Sequence, residues 1–186
     1  MKRLFEYGGI GASVVLIAFG IGSIVVGFGG RGIVRDDLAR EKIVGTPDSS
    51  IPGQLVDTGS EAHAFANVMR KHALEATGGE TYAEMGRFLD TNGQPTNNEK
   101  LAAKDSKTNN PVENPARNIW VTETALSTAL NTAYFAERVS TWAIVMGFAL
   151  LLTGVGFSVL TLKLLRQPRR AALGARRHDT PVPVSS

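Results

Sequence analysis

The chain contains no cysteine in 186 residues. That absence excludes disulfide staples, thiol nucleophiles and thiolate metal ligands together. Histidine is nearly as scarce, with only His63, His72 and His178 present. No Gly-x-Ser-x-Gly elbow offers a serine nucleophile, and no Asn-x-Ser/Thr sequon marks a glycosylated loop. Charged residues make up 20% of the chain, yet none falls between Gly8 and Gly30 or between Val139 and Leu162.

These two uncharged runs decide the class. At about 1.5 Å per residue each forms a helix of about 35 Å, against a bilayer hydrocarbon core of about 30 Å. The predicted fold class is an all-α membrane protein. Two transmembrane helices, 8–30 and 139–162, flank a small helical extracytoplasmic domain, 31–138, and the second helix extends outward into that domain. A short N-terminal segment, 1–7, and a basic tail, 163–186, complete the chain. The first run exceeds the roughly 7 to 15 apolar residues of a secretory signal, which predicts a retained span rather than a cleaved one.

Cation placement gives the orientation. Lys2 and Arg3 precede the first run, and Lys163, Arg166, Arg169, Arg170, Arg176 and Arg177 follow the second. Both termini are therefore expected in the cytoplasm of a plasma-membrane protein. The intervening segment carries fifteen carboxylates against twelve cations. Arg31 and Arg35 oppose the rule, with Asp36 and Asp37 expected to offset them. The basic tail is a candidate contact for anionic lipid.

Small residues mark the expected helix contacts. In the first run Gly9, Ser13, Leu16, Gly20, Ser23, Gly27 and Gly30 recur in alternating steps of four and three. The second shows the same device in Ser140, Ala143, Gly147, Gly154, Ser158 and Thr161. Such seams let helix backbones approach closely in lipid. Their partner is either the other span of the chain or another membrane protein, including a second copy. Phe5, Tyr7, Tyr134, Phe135 and Trp142 lie near the run ends, where aromatic rings anchor at headgroups.

The outer segment has helical periodicity and polar turns. Ile33, Val34, Leu38 and Ile43 carry the first helix outward until Gly45, Thr46 and Pro47 stop it, with Asp36 and Arg40 spaced as an i,i+4 pair. Thr58 and Glu61 form a capping box before a helix whose apolar stripe is Phe65, Val68, Met69 and Ala73. Gly78 and Gly79 end it. Thr81 and Glu84 predict a second, shorter helix burying Tyr82, Met85, Phe88 and Leu89. Residues 90–114, rich in Asn, Thr, Lys and Pro, predict a mobile loop with at most one helical turn around Leu101. From Ala116 the chain has neither Gly nor Pro until Gly147. Ile119, Leu126, Ala133, Ser140, Gly147, Gly154 and Thr161 recur every seven residues along this one long helix.

The polar residues supply little catalytic material. His63 and His72 are nine positions apart, nearly opposite on one helix, so they cannot share a metal within it. Asp36, Asp37 and Glu41 lack the loop that would shape a cation cage. Gly27-Phe28-Gly29-Gly30-Arg31-Gly32 matches a dinucleotide fingerprint in letters but has no preceding strand. Phe65, Phe88 and Trp120 are expected in the core. No catalytic residue, cofactor, metal or nucleic-acid partner is expected, only the lipid bilayer and other membrane proteins.

The stretches VRDDLAREKIVGTPD, from Val34 to Asp48, and PVENPARNIWVTETAL, from Pro111 to Leu126, resemble a family of uncharacterised two-pass membrane proteins from actinobacteria. The resemblance covers most of the chain except the tail and carries over no functional residues. Some members bear the label aromatic-ring-opening dioxygenase, which implies an iron held by two histidines and a carboxylate. The spacing of His63 and His72 does not provide that set. The expected function is a non-enzymatic accessory, scaffold or assembly subunit of the cell envelope. The alternative is an extracytoplasmic small-ligand sensor that signals through its spans to a cytoplasmic partner.

Overall fold

The computed structural model describes residues 2–166, and the protein is mostly helical. In chain order the elements are α1 (Lys2–Glu41), α2 (Gly59–Ala76), strands β1 (Phe88–Leu89) and β2 (Pro95–Thr96), and α3 (Arg117–Arg166). They form two compact units: Met1–Ile24 with Val145–Ser186, and Val25–Ile144. The tail cations Arg169, Arg170, Arg176 and Arg177, and His178, lie outside the described residues, as do the side chains of Lys2, Arg3 and Phe5.

Helices α1 and α3 are long and apolar enough to cross a membrane, and only 11% of the most apolar eighteen-residue stretch of each is buried. Phe19, Val26 and Phe28 on α1, and Trp142, Phe148 and Leu152 on α3, turn outward. What is buried on α1 follows the heptad, with Ser13, Gly20 and Gly27 buried and Gly9, Leu16, Ser23 and Gly30 half-buried. On α3 Gly147, Gly154 and Thr161 are buried, and Ser140, Ala143 and Ser158 half-buried.

Within the Val25–Ile144 unit, α1 ends where Lys42 adopts a left-handed φ of 53°. The following loop is held to itself by Gly45 N–H on Gln54 O at 2.9 Å and Val56 N–H on Ile43 O at 2.8 Å. The capping box then opens α2. Thr58 Oγ1 accepts from Glu61 N–H at 3.3 Å, and Glu61 Oε2 accepts from the Thr58 and Asp57 amides at 2.9 and 3.0 Å. Gly78 and Gly79, at φ of 65° and 89°, end the helix in conformations that other residues resist. The core joins Leu38 of α1, Val56 of the loop, Ala62, Phe65 and Ala66 of α2, and Leu130 of α3. A smaller cluster joins Ala73, Met85 and Trp120. The Trp120 indole N–H donates to Glu80 O at 3.0 Å, which satisfies its polar edge in that cluster.

Four expectations are corrected here. The second capping box makes one turn instead of a helix. Thr81 N–H does donate to Glu84 Oε2 at 2.8 Å, but buried Gly86 lies against the Pro95–Thr96 backbone, which leaves no room for a side chain there. The chain therefore extends, and Phe88–Leu89 pairs antiparallel with Pro95–Thr96. Tyr82, expected in the core, is 45% exposed. On α3 Ile119 is exposed, while Trp120 and Glu123 are buried. The stripe thus drifts by one position at its outer end, as a straight helix of 3.6 residues per turn does against a seven-residue repeat. Arg40 pairs with Asp37, at i,i+3, and not with Asp36.

The polar segment 90–114 has the helical turn at Leu101, whose N–H donates to Asn98 O at 3.0 Å. It is otherwise built of bridges, at Asp90 with Ala102, Lys104 with Pro111, and Phe88 with Glu113. Asp90 Oδ1 accepts from the Asn92 and Gln94 amides, each at 2.8 Å. Asp105 Oδ1 accepts from the Lys107 and Thr108 amides at 3.0 and 2.8 Å. The Asp and Asn residues that read as loop composition act as turn formers.

Candidate functional site

Glycine determines where α1 and α3 approach. In the first unit, a side chain on Gly20 would meet Gly147 O at 2.8 Å and Leu151 N at 2.7 Å. One on Gly147 would meet Gly20 O at 2.8 Å, so each glycine makes room for the other's backbone. Gly9 faces Thr161, and Gly154 faces Leu16 and Ile17. Ser13 donates to Gly9 O of its own helix at 2.8 Å, which removes its hydroxyl's need for a partner across the seam. In the second unit Gly27 meets Ser140 O at 2.7 Å, and Gly30 faces Ser140. Gly8, Gly11, Gly22, Gly29 and Gly32 have nothing within 4 Å. Close approach therefore belongs to particular glycines, at heptad spacing, and not to glycine content.

A carboxylate joins the three helices of the second unit. Glu137 of α3 receives Arg31 Nη2 of α1 at 3.1 Å on Oε1. On Oε2 it receives the amide of Gly59, first residue of α2, at 2.6 Å. The Glu137 side chain is only 16% exposed, and its charge meets the positive end of the α2 dipole. Gly59 is small of necessity, because a side chain there would stand 2.8 Å from Tyr134 Cα. Beside it Arg35 donates through Nε and Nη2 to Asp57 Oδ2 at 3.2 and 2.8 Å. Arg31 and Arg35 are thus paired by Glu137 and Asp57, both distant in sequence.

Helices α2 and α3 also border a polar groove of about 530 Å³, lined by Asn67, Arg70, Glu123, Thr124, Ser127 and Thr128 among others. Glu123 is 6% exposed. Its Oε1 accepts from Ser127 Oγ at 2.7 Å, and no cation among the described residues lies within ion-pairing distance. The Arg70 guanidinium sits 5.3 Å from the centre of the Trp120 ring. Sequence reasoning missed Glu123, Arg70 and Glu137. No local signal marks Glu123, which stands between Thr122 and Thr124 in the polar outer half of α3.

The two described histidines part as expected from their spacing. His63 Nδ1 lies 2.7 Å from Asn131 Oδ1, with its ring stacked on Tyr134 at 4.8 Å. His72 Nε2 lies 2.9 Å from Asp48 Oδ2, which also accepts from Lys71 Nζ at 3.0 Å. The Lys71 ammonium chiefly, and His72 beside it, hold the Asp48 carboxyl well below its usual range, and Asp48 raises Lys71. Among the described residues no three His, Asp or Glu side chains converge as metal ligands. Phe65, Phe88 and Trp120 are buried in the core. No family model, curated protein or solved structure matches the chain.

Two outcomes follow from these contacts. Gly20→Leu must force the backbones of Gly147 and Leu151 away, at a cost of about 1–3 kcal/mol, whereas Gly22→Leu meets open space. Thermal unfolding in detergent should show a large loss for the first and little change for the second. Equal loss at both would contradict the packing. The depressed Asp48 contributes stability that is present above the unfolded carboxyl value of about 3.9 and is lost as pH falls through its folded value. The raised Lys71 contributes below about 10.4 and loses its contribution above its folded value. The protection factors of the amides of residues 45–56, exchange rates referred to the intrinsic rate at each pH, should therefore fall as the pH drops below about 4, and Asp48→Asn should abolish that acid step while leaving the loop less protected at neutral pH.

Proposed function

We propose that the chain is a two-span plasma-membrane protein, both termini cytoplasmic, that holds a helical outer domain as a non-enzymatic scaffold or assembly subunit of the cell envelope. The observation that carries this reading is that the close-approach glycines of α1 lie against α3 of the same chain, Gly20 on Gly147 in the first unit and Gly27 and Gly30 on Ser140 in the second. A pair packed backbone to backbone has little room to slide, and it offers a fixed support. The Glu137 clamp on Arg31 and Gly59 adds to that support by holding α2 against the two long helices of its unit. Insertion is supported by the many large apolar side chains that turn outward along both long helices, whose most apolar stretches are only 11% buried. Cation asymmetry supports the orientation. Because the described seams are occupied within the chain, other proteins would dock on the outer domain rather than on those seams.

The sensor reading keeps one observation in its favour, the α2–α3 groove with its buried carboxylate. No outgoing signal is needed for the scaffold reading, and it is the one we adopt. Cysteines placed singly at Asn97 and Ser185 in this cysteine-free chain should differ toward an impermeant maleimide on intact cells. Asn97 should label and Ser185 should not, and the reverse pattern would overturn the topology. Native mass spectrometry of the protein extracted in lipid nanodiscs should show a second protein at fixed stoichiometry. A chain that is always alone would refute the scaffold.

A further inference from the structure

We propose that the groove between α2 and α3 binds a small aminocarboxylate, with Glu123 taking its ammonium group and Arg70 its carboxylate. The two helices run antiparallel, Gly59 facing Glu137 at one end and Thr77 facing Trp120 at the other. Ser127 reaches Ala66 O at 3.5 Å between these ends. Arg70 is one turn beyond Ala66, and Glu123 is one turn before Ser127, so acid and base stand at the same level on facing helices. They line the same groove and make no ion pair with each other within 4 Å.

Each group has unmet demand. Glu123 is more than nine-tenths buried, and its hydrogen-bond partners are the Ser127 hydroxyl at 2.7 Å and the Thr124 hydroxyl at 3.4 Å. A carboxylate offers about four acceptor positions and, once buried, is costly without a cation. The guanidinium of Arg70 rests near the Trp120 ring at 5.3 Å, a contact that leaves its N–H donors available for a planar anion. A ligand carrying one charge alone would satisfy one side and leave the other. A molecule with both satisfies both at no change in net charge. Thr124, Ser127 and Thr128 add hydroxyls to the lining, and about 530 Å³ falls within the range of small-molecule sites. The groove lies wholly in the Val25–Ile144 unit, and the inference is independent of what the outer domain docks with.

The test is calorimetric titration of the full chain in lipid nanodiscs with L-alanine, 4-aminobutyrate and dialanine, which differ in the separation of their charged ends. Ethylamine and acetate are the single-charge controls. At least one aminocarboxylate should bind saturably with a Kd at or below about 1 mM, and each control should bind at least about tenfold more weakly. Glu123→Gln keeps an acceptor for Ser127 and removes the charge. It should weaken binding by about tenfold or more, as should Arg70→Gln, with melting temperature unchanged. If Glu123→Gln fails to fold, exposed Arg70→Gln decides alone. Absence of saturable binding by all three probes, equal binding of ethylamine, or affinity indifferent to Arg70→Gln would overturn the proposal.

Discussion

Backbone proximity at glycine is the constraint on which the rest depends. Where Gly20 meets Gly147, and Gly27 meets Ser140, a single methyl group on either glycine would collide with main chain. In lipid no hydrophobic drive separates helix from solvent, so association comes from such dispersion contacts between closely apposed surfaces. In water the same glycines would cost about 1 kcal/mol each in helix propensity. Their presence at heptad spacing, with freely accessible glycines between them, is therefore intelligible only as a packing device. Hydroxyls on the long helices are bonded back to their own backbone, Ser13 within the seam and Thr153 on the outward face.

The Val25–Ile144 unit adds electrostatics to that packing. Once α1 and α3 are paired there, Arg31 and Glu137 face each other at the position where α2 begins, and one carboxylate serves a cation and a helix N-terminus together. Partial burial makes this stronger than an exposed pair, whose contribution is about 0–1 kcal/mol. Removing the Glu137 charge would leave the Gly59 amide and Arg31 without their acceptor. Arg35 with Asp57 forms a second pair one turn further along, so both cations have a structural role in this unit.

Much of this was legible in the sequence, because it rests on local periodicity. The long helices, the heptad of small residues on α1, and α2 with its Thr58–Glu61 box all depend on residues near one another in the chain. What was not legible depends on tertiary partners. Thr81–Glu84 has the letters of a helix start, yet Gly86 packs on the Pro95 backbone and the helix is cut to a turn. Residues 90–114 look structureless because their order comes from Asp and Asn side chains bonding nearby amides. Arg31 pairs with Glu137, 106 positions away, beyond the reach of any local spacing. Glu123 was passed over because a lone carboxylate in a helix ordinarily points to water, and only its burial reveals it.

The central claim is that α1 and α3 pair through their small faces within one chain. A side chain on Gly30 would place its Cβ 3.5 Å from the Cβ of Ser140, within the span of a disulfide. The cysteine-free background makes Gly30→Cys with Ser140→Cys a clean measurement, read by mild oxidation in native membranes, alkylation and mass spectrometry of the peptides. A disulfide joining the two positions in a protein that migrates as a monomer is the predicted result. No disulfide, or one found only between two chains, would contradict it.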